Sequence, residues 1–179
     1  MKDEDVERLF RAYNAALVRY LPRRLGDRDW AEEVAQETFL RALRQDALSS
    51  ERSWLFAVAT NLVRDEARKE ERRRRHLAIL AEQERAREEE EPEPTTLERA
   101  QDAALARKAV DALAERDRLA LLMREEGLDY TEIADALGLS VGSIGTTLAR
   151  ARRRLAEAYE AMQAEGRRGA AGGEGHAAS

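Results

Sequence analysis

Asp129-Tyr130-Thr131-Glu132-Ile133-Ala134-Asp135-Ala136-Leu137-Gly138-Leu139-Ser140-Val141-Gly142-Ser143-Ile144 is the stretch on which the fold turns. Asp129 is suited to accept from the free amides at a helix start, and Glu132 to reach back in a capping box. Ile133, Ala134 and Leu137 supply an apolar face, and Gly138 stands where a helix needs a left-handed residue to stop. Ser140 then opens a second helix, on which Ile144, Leu148, Ala151 and Leu155 recur at spacings of four, three and four. A helix, a short glycine turn and a second helix make a helix-turn-helix. Gly142, Thr146, Ala149, Arg150 and Arg153 lie opposite the apolar face, and Arg150, Arg152, Arg153 and Arg154 follow with no acid among them. A small start and a basic end suit an element that enters a major groove and anchors on phosphate. The same arginines would complement the helix dipole in an ordinary packed hairpin. The stretch by itself leaves both readings open.

Upstream of this pair, Leu119, Leu122 and Met123 mark a helix that stops at Gly127, and Leu97, Ala100, Ala104, Leu105, Ala109, Val110 and Leu113 mark helical sequence before it. Further back the acidic run from Glu82 to Glu93, broken by Pro92 and Pro94, cannot bury a core and reads as a linker. Downstream, periodicity fades after Gln163 into Gly, Ala and Arg, and a disordered tail is expected.

The N-terminal half reads as three more helices. Val6, Leu9, Phe10, Tyr13, Leu17 and Leu21 recur at three and four, until Pro22 and Gly26-Asp27 interrupt. A second helix runs from Asp29, its expected cap, to about Arg44, with Ala31, Val34, Ala35, Phe39 and Ala42 facing inward. Its other surface carries Glu33, Gln36, Glu37, Leu40 and Arg41. Leu40 there is either an ordinary exposed leucine or a contact for a partner helix, oriented by the charges around it. After a polar loop from Gln45 to Ser53, a third helix runs to about Arg75 on the apolar face Leu55, Val58, Ala59, Leu62 and Val63. Asn61, Arg64, Arg68 and Arg72 form a basic stripe along it, with Trp54 just before. Basic residues beside an aromatic suit unstacked nucleic acid, while Glu66, Glu70 and Glu71 offer the competing explanation of intrahelical charge pairs.

Composition sets limits. The chain has 179 residues, no cysteine and two histidines. Disulfides, thiolate metal sites and cysteine nucleophiles are therefore excluded, and a histidine-based metal site or triad is not expected. Neither a cofactor nor catalysis is anticipated. No apolar run approaches the ~20 residues that span a bilayer, and the charged N-terminus lacks a signal-peptide core, so a cytoplasmic protein is expected. With 31 Lys and Arg against 36 Asp and Glu, the net charge is −5. A chain that held DNA unaided would ordinarily be basic, which points to a DNA contact that is weak or made as part of something larger.

The ordering of these features resembles bacterial RNA polymerase sigma factors of the extracytoplasmic-function type, group IV of the sigma-70 family. Trp30 to Ala42 is similar to conserved region 2.2, Ser53 to Asp65 to regions 2.3 and 2.4, and Leu113 to Leu155 to region 4. The resemblance implies an all-α fold of two small helical domains. These are region 2 over 1–77 and region 4 over 99–162, joined by an acidic linker over 78–98 and followed by a disordered tail over 163–179. It implies that Glu33, Gln36, Glu37, Leu40 and Arg41 contact the beta-prime clamp helices of core polymerase, and that the helical hairpin meets the beta flap. Trp54, Asn61, Arg64, Arg68 and Arg72 would serve the minus-ten element, and the loop Gln45 to Ser53 would hold a base flipped from it. Ser140, Val141, Gly142, Ser143, Thr146, Thr147, Arg150 and Arg153 would serve the minus-thirty-five element. The linker would thread toward the active-centre and RNA-exit channels. An anti-sigma factor is a further implied partner. Gly145 and Thr147 depart from the pattern, standing where many members carry lysine and arginine. That weakens direct guanine readout and shifts weight to backbone contacts and DNA shape. The alternatives are a stand-alone helix-turn-helix regulator of duplex DNA, and a helical adaptor without nucleic acid.

Overall fold

The computed structural model describes residues 3–21, 28–78 and 97–172, which form helices and their connections with no strand among them. The helices are α1 (Asp3–Tyr20), α2 (Arg28–Leu43), α3 (Glu51–Ala78), α4 (Leu97–Asp111), α5 (Glu115–Glu125), α6 (Tyr130–Leu137) and α7 (Val141–Gly172). The described residues divide into two compact units, one within 1–90 and 123–141, the other within 91–122 and 142–179. Of the linker expected over 78–98, residues 79–96 lie outside the described residues, as does the Pro22 to Asp27 break, while Ala78 ends α3 and Leu97 and Glu98 open α4.

In the first unit α1, α2 and α3 pack on one another, and α6 packs on α3. The core takes most of the positions that the helical spacing selects, Leu9 and Leu17 of α1, Ala31, Val34, Ala35, Phe39 and Ala42 of α2, and Leu55, Ala59 and Val63 of α3, while Tyr13, Val58 and Leu62 of the same faces are only half-buried. Two large members fall outside the expected set. Tyr20 and Phe56 are fully buried and pack ring to ring, centroids 5.0 Å apart. Burying a phenol requires a partner for its hydroxyl. Thr60 Oγ1 donates to the Phe56 carbonyl at 2.7 Å and so accepts from Tyr20 at 2.8 Å. Leu17, Tyr20 and Leu21 follow the same three-four spacing, so the signal was present. Phe10 behaves differently from the expectation: it is largely exposed, leaning its ring on Phe39 at 5.1 Å.

The capping box of α6 forms as the sequence implies. Asp129 Oδ1 accepts from Glu132 N at 2.8 Å, and Glu132 Oε2 accepts from Asp129 N at 2.8 Å. Gly138 stands at φ 65°, and Leu139 N donates back to the Ala134 carbonyl at 2.9 Å. Gly127, at φ 86°, ends α5 in the same way, with Leu128 N donating to the Met123 carbonyl at 3.1 Å.

The second unit buries Ala109 of α4, Leu119, Ala120 and Leu122 of α5, and Ile144 and Leu148 of α7. Leu113, Leu121 and Ala151 form a cluster against which Leu155 packs. Two boundaries are corrected. α2 begins at Arg28, so Asp29 lies in its first turn rather than at its cap, where its charge still complements the dipole. α7 continues to Gly172, so residues 163–172 are helical, not a disordered tail. Ala, Gln and Arg are good helix formers, and Gln163 bonds to Tyr159 and Arg167 to Gln163 at i,i+4 spacing.

Candidate nucleic-acid and polymerase interfaces

Three solvent-facing surfaces collect the residues singled out from sequence. The first is on α2. Glu33, Gln36, Leu40 and Arg41 are exposed and Glu37 half-buried, and their spacing places all five on one side of the helix. Leu40 is 52% exposed, on the side of the helix opposite its filled inward face. Glu37 accepts from Arg41 Nε at 2.8 Å, which fixes both charges beside the leucine.

The second surface is on α3. Asn61 and Arg68 are exposed and Arg64 is half-buried. Arg72 lies on the same helix, four residues beyond Arg68, and its side chain is outside the described residues. Arg68 pairs with Asp65 at 3.5 Å and Lys69 with Glu66 at 3.2 Å, both local and exposed. Such pairs hold cations in place at little energetic cost to their release. Trp54 is half-buried in the first turn, its backbone N–H donating to the Ser50 carbonyl at 2.9 Å.

The loop before α3 is shorter than the sequence suggested. α3 starts at Glu51, which leaves 44–50 as the connection. The three residues at its expected end are engaged elsewhere. Glu51 is paired with Arg8, and the hydrogen bond from that guanidinium holds its carboxyl below the usual range. Arg52 donates to Glu132 at 2.9 and 2.5 Å and to the Gly127 carbonyl at 3.1 Å. Those hydrogen bonds lower the Glu132 carboxyl, which also closes the α6 capping box. Ser53 is buried.

The third surface is on α7. Val141, Gly142, Thr146 and Arg153 are exposed, as is Ser140 just before the helix, and Ser143 is half-buried. A Cβ on Gly142 would meet nothing within 4 Å, so this end of the helix presents bare backbone to solvent. Thr146 Oγ1 donates to the Ser143 carbonyl at 2.9 Å. Two of the expected residues are placed otherwise. Thr147 is only 3% exposed: three from Ile144 and four from Ala151, it shares the buried side of the helix and presents no group outward. Arg150 is held by Asp117 of α5, Nε to Oδ2 at 2.8 Å and Nη2 to Oδ1 at 2.5 Å. Asp117 lies thirty-three residues away, and only the tertiary fold reveals the pair.

An exposed leucine beside charged groups, a basic stripe and a capped helix-turn-helix are the features the structure presents to solvent. The comparisons with known proteins specify the class. Residues 9–73 match the model of sigma-70 region 2, and residues 104–155 match that of sigma-70 region 4. The RNA polymerase sigma factor YlaC of Bacillus subtilis is 32% identical, over 87% of this chain and 92% of that protein. The extracytoplasmic-function sigma factor SigL of Mycobacterium tuberculosis is 34% identical, over 82% of this chain and 84% of that protein. Among solved structures, the sigma factor RpoE of Bartonella quintana, in complex with the anti-sigma factor NepR, superposes with a TM-score of 0.64 at 23% identity, covering 88% of this chain and 98% of that one. The chain belongs to the extracytoplasmic-function sigma factors of the sigma-70 family. Its function is promoter-specific initiation of transcription with core RNA polymerase. Among the described residues no helix is long and apolar enough to cross a membrane.

Proposed function

We propose a division of labour among the three surfaces. Residues 1–77 act as region 2, docking on the beta-prime clamp helices through Glu33, Gln36, Glu37, Leu40 and Arg41. Asn61, Arg64, Arg68 and Arg72 hold the minus-ten element and its upstream phosphates, with Trp54 beside the melted strand. The connection over 44–50 takes the flipped base, whose unstacking costs a few kcal/mol that binding must offset. Residues 99–162 act as region 4. Ser140, Val141, Gly142, Ser143, Thr146 and Arg153 enter the minus-thirty-five element, Arg150 anchors there under the control of Asp117, and Thr147 supports the helix from within. The chain works in the cytoplasm as a non-catalytic specificity subunit that an anti-sigma factor can hold inactive. Its net charge of −5 fits a subunit whose non-specific DNA affinity is supplied by the polymerase.

The observation that carries this reading is Leu40, 52% exposed on the charged side of a helix whose other side is fully packed. Leu40→Asp is the test. Leu40 is exposed among the described residues, so thermal stability should stay close to wild type, and affinity for core polymerase should fall on the order of 10-fold or more. Unchanged polymerase affinity would remove α2 from the interface.

A further inference from the structure

α5 and α7 build a basic concavity that shares Arg150 and Asp117 with the third surface and adds Arg116 and Arg154 to it. Ala114, Arg116, Asp117, Arg150 and Arg154 line it, three guanidinium groups around one carboxylate. The Asp117 side chain is 2% exposed and that of Arg150 31%. Asp117 uses both oxygens on Arg150, taking Nε and one Nη2 hydrogen. A guanidinium carries five N–H donors in a fixed plane. The remaining three, two on Nη1 and one on Nη2, are thereby directed away from the buried carboxylate. Arg116 and Arg154 are exposed, and their charges, after that of Arg150 itself, contribute to holding the Asp117 carboxyl below the usual range. A buried carboxylate beneath three cations leaves a surplus of two positive charges at the mouth. A planar fork locked at its base and flanked by two exposed cations is a donor geometry that a tetrahedral phosphodiester accepts.

We infer that Arg116, Arg150 and Arg154 form a cradle for one backbone phosphate of duplex DNA, and that Asp117 is the positioning residue that aims Arg150 into it. The inference rests on the proposal that α7 lies on DNA and deepens it, because a phosphate gripped from α5 as well as α7 fixes the depth and angle at which α7 enters the groove. Phosphate contacts set register without carrying sequence information. They are the kind of contact needed by a recognition helix that carries Gly145 and buried Thr147 in place of base-reading cations.

The test uses holoenzyme assembled from core polymerase and the full chain, titrated onto promoter duplex over a range of salt. Arg116→Ala plus Arg154→Ala, both at exposed positions, should lower affinity alike on matched and mismatched minus-thirty-five sequences. The slope of log affinity against log salt should shrink by about two, so that the gap from wild type closes ~10-fold between 50 and 200 mM salt. A second readout locates the contact. Duplexes carrying a single neutral methylphosphonate at successive positions should bind wild-type holoenzyme several-fold more weakly at one or two adjacent positions. The double variant and Asp117→Asn should lose that positional sensitivity, an effect that a loss of stability alone would not produce. A wild-type slope and unchanged positional sensitivity in the double variant would overturn the cradle. Indifference of wild-type holoenzyme to any change in the minus-thirty-five element would instead overturn the parent proposal for α7.

Discussion

The cations of α3 and the central arginine of α7 are answered in different ways, although Arg153 of α7 has a local, exposed partner of its own in Glu157 at 3.8 Å. On α3 the acids lie three residues from their cations, Asp65 with Arg68 and Glu66 with Lys69, and all four side chains stay in water. On α7 the central arginine is answered by an almost fully buried aspartate from another helix. Local, hydrated pairs let go readily, because screening and side-chain entropy offset most of their attraction. A carboxylate without water depends on its one partner. α3 therefore offers cations that can exchange an acid for a phosphate, while α7 offers one cation fixed in direction.

Several substitutions would break or sharpen that contrast. The largest effect is expected from Arg64→Ala plus Arg68→Ala. Open-complex formation should fall on the order of 100-fold while binding to core polymerase persists, because the proposed function gives these two cations the phosphates beside the melted strand. Equal loss of both activities would contradict the separation of α2 from α3. Next comes Asp117→Asn, which should lower the melting temperature by several degrees. Asp65→Asn should change stability by less than about 0.5 kcal/mol, as removal of an exposed helical pair does. Similar melting temperatures for the two variants would erase the distinction between the helices.

A smaller effect concerns pH. The carboxyls of Asp117, Glu132 and Glu51 are held down in the folded chain by hydrogen bonds from Arg150, Arg52 and Arg8. A group whose folded pKa is depressed contributes stability above its unfolded value and loses it as pH falls through the folded one. Stability should therefore be flat from neutrality to about pH 5 and decline below about pH 4. Asp117→Asn should flatten part of that decline in an acid titration followed by circular dichroism. Smallest of all, Thr147→Ala should leave promoter selectivity unchanged, since a residue that is 3% exposed reads no base.

Much of this architecture was legible in the amino-acid order. Repeated three-four spacing located the inward residues of α2, all five of which are buried, and the pairing of Asp129 with Glu132 anticipated the cap of α6 at the atomic level. Those features are local, and local physics specifies them. Tyr20 and Phe56 lie within the same spacing but do not stand out in it, the one because it carries a hydroxyl and the other because it sits beside an already filled apolar face. Thr147 takes an outward place in the family motif, although its own spacing from Ile144 and Ala151 points inward. Asp117, Arg52 and Arg8 could not have been found this way. Each meets its partner across thirty-three or more residues, and nothing in the neighbourhood of an acid tells which distant arginine the fold will bring to it.

The central claim is that this acidic pair of helical modules selects promoters only as part of the polymerase. Run-off transcription measures it directly, with core polymerase on genomic promoter fragments in the presence and absence of the full chain. Defined start sites should appear only when the chain is added, and the chain by itself should show weak, salt-sensitive binding to the same fragments. Tight, selective binding to duplex DNA by the chain alone, with no start site stimulated in the polymerase, would contradict the account.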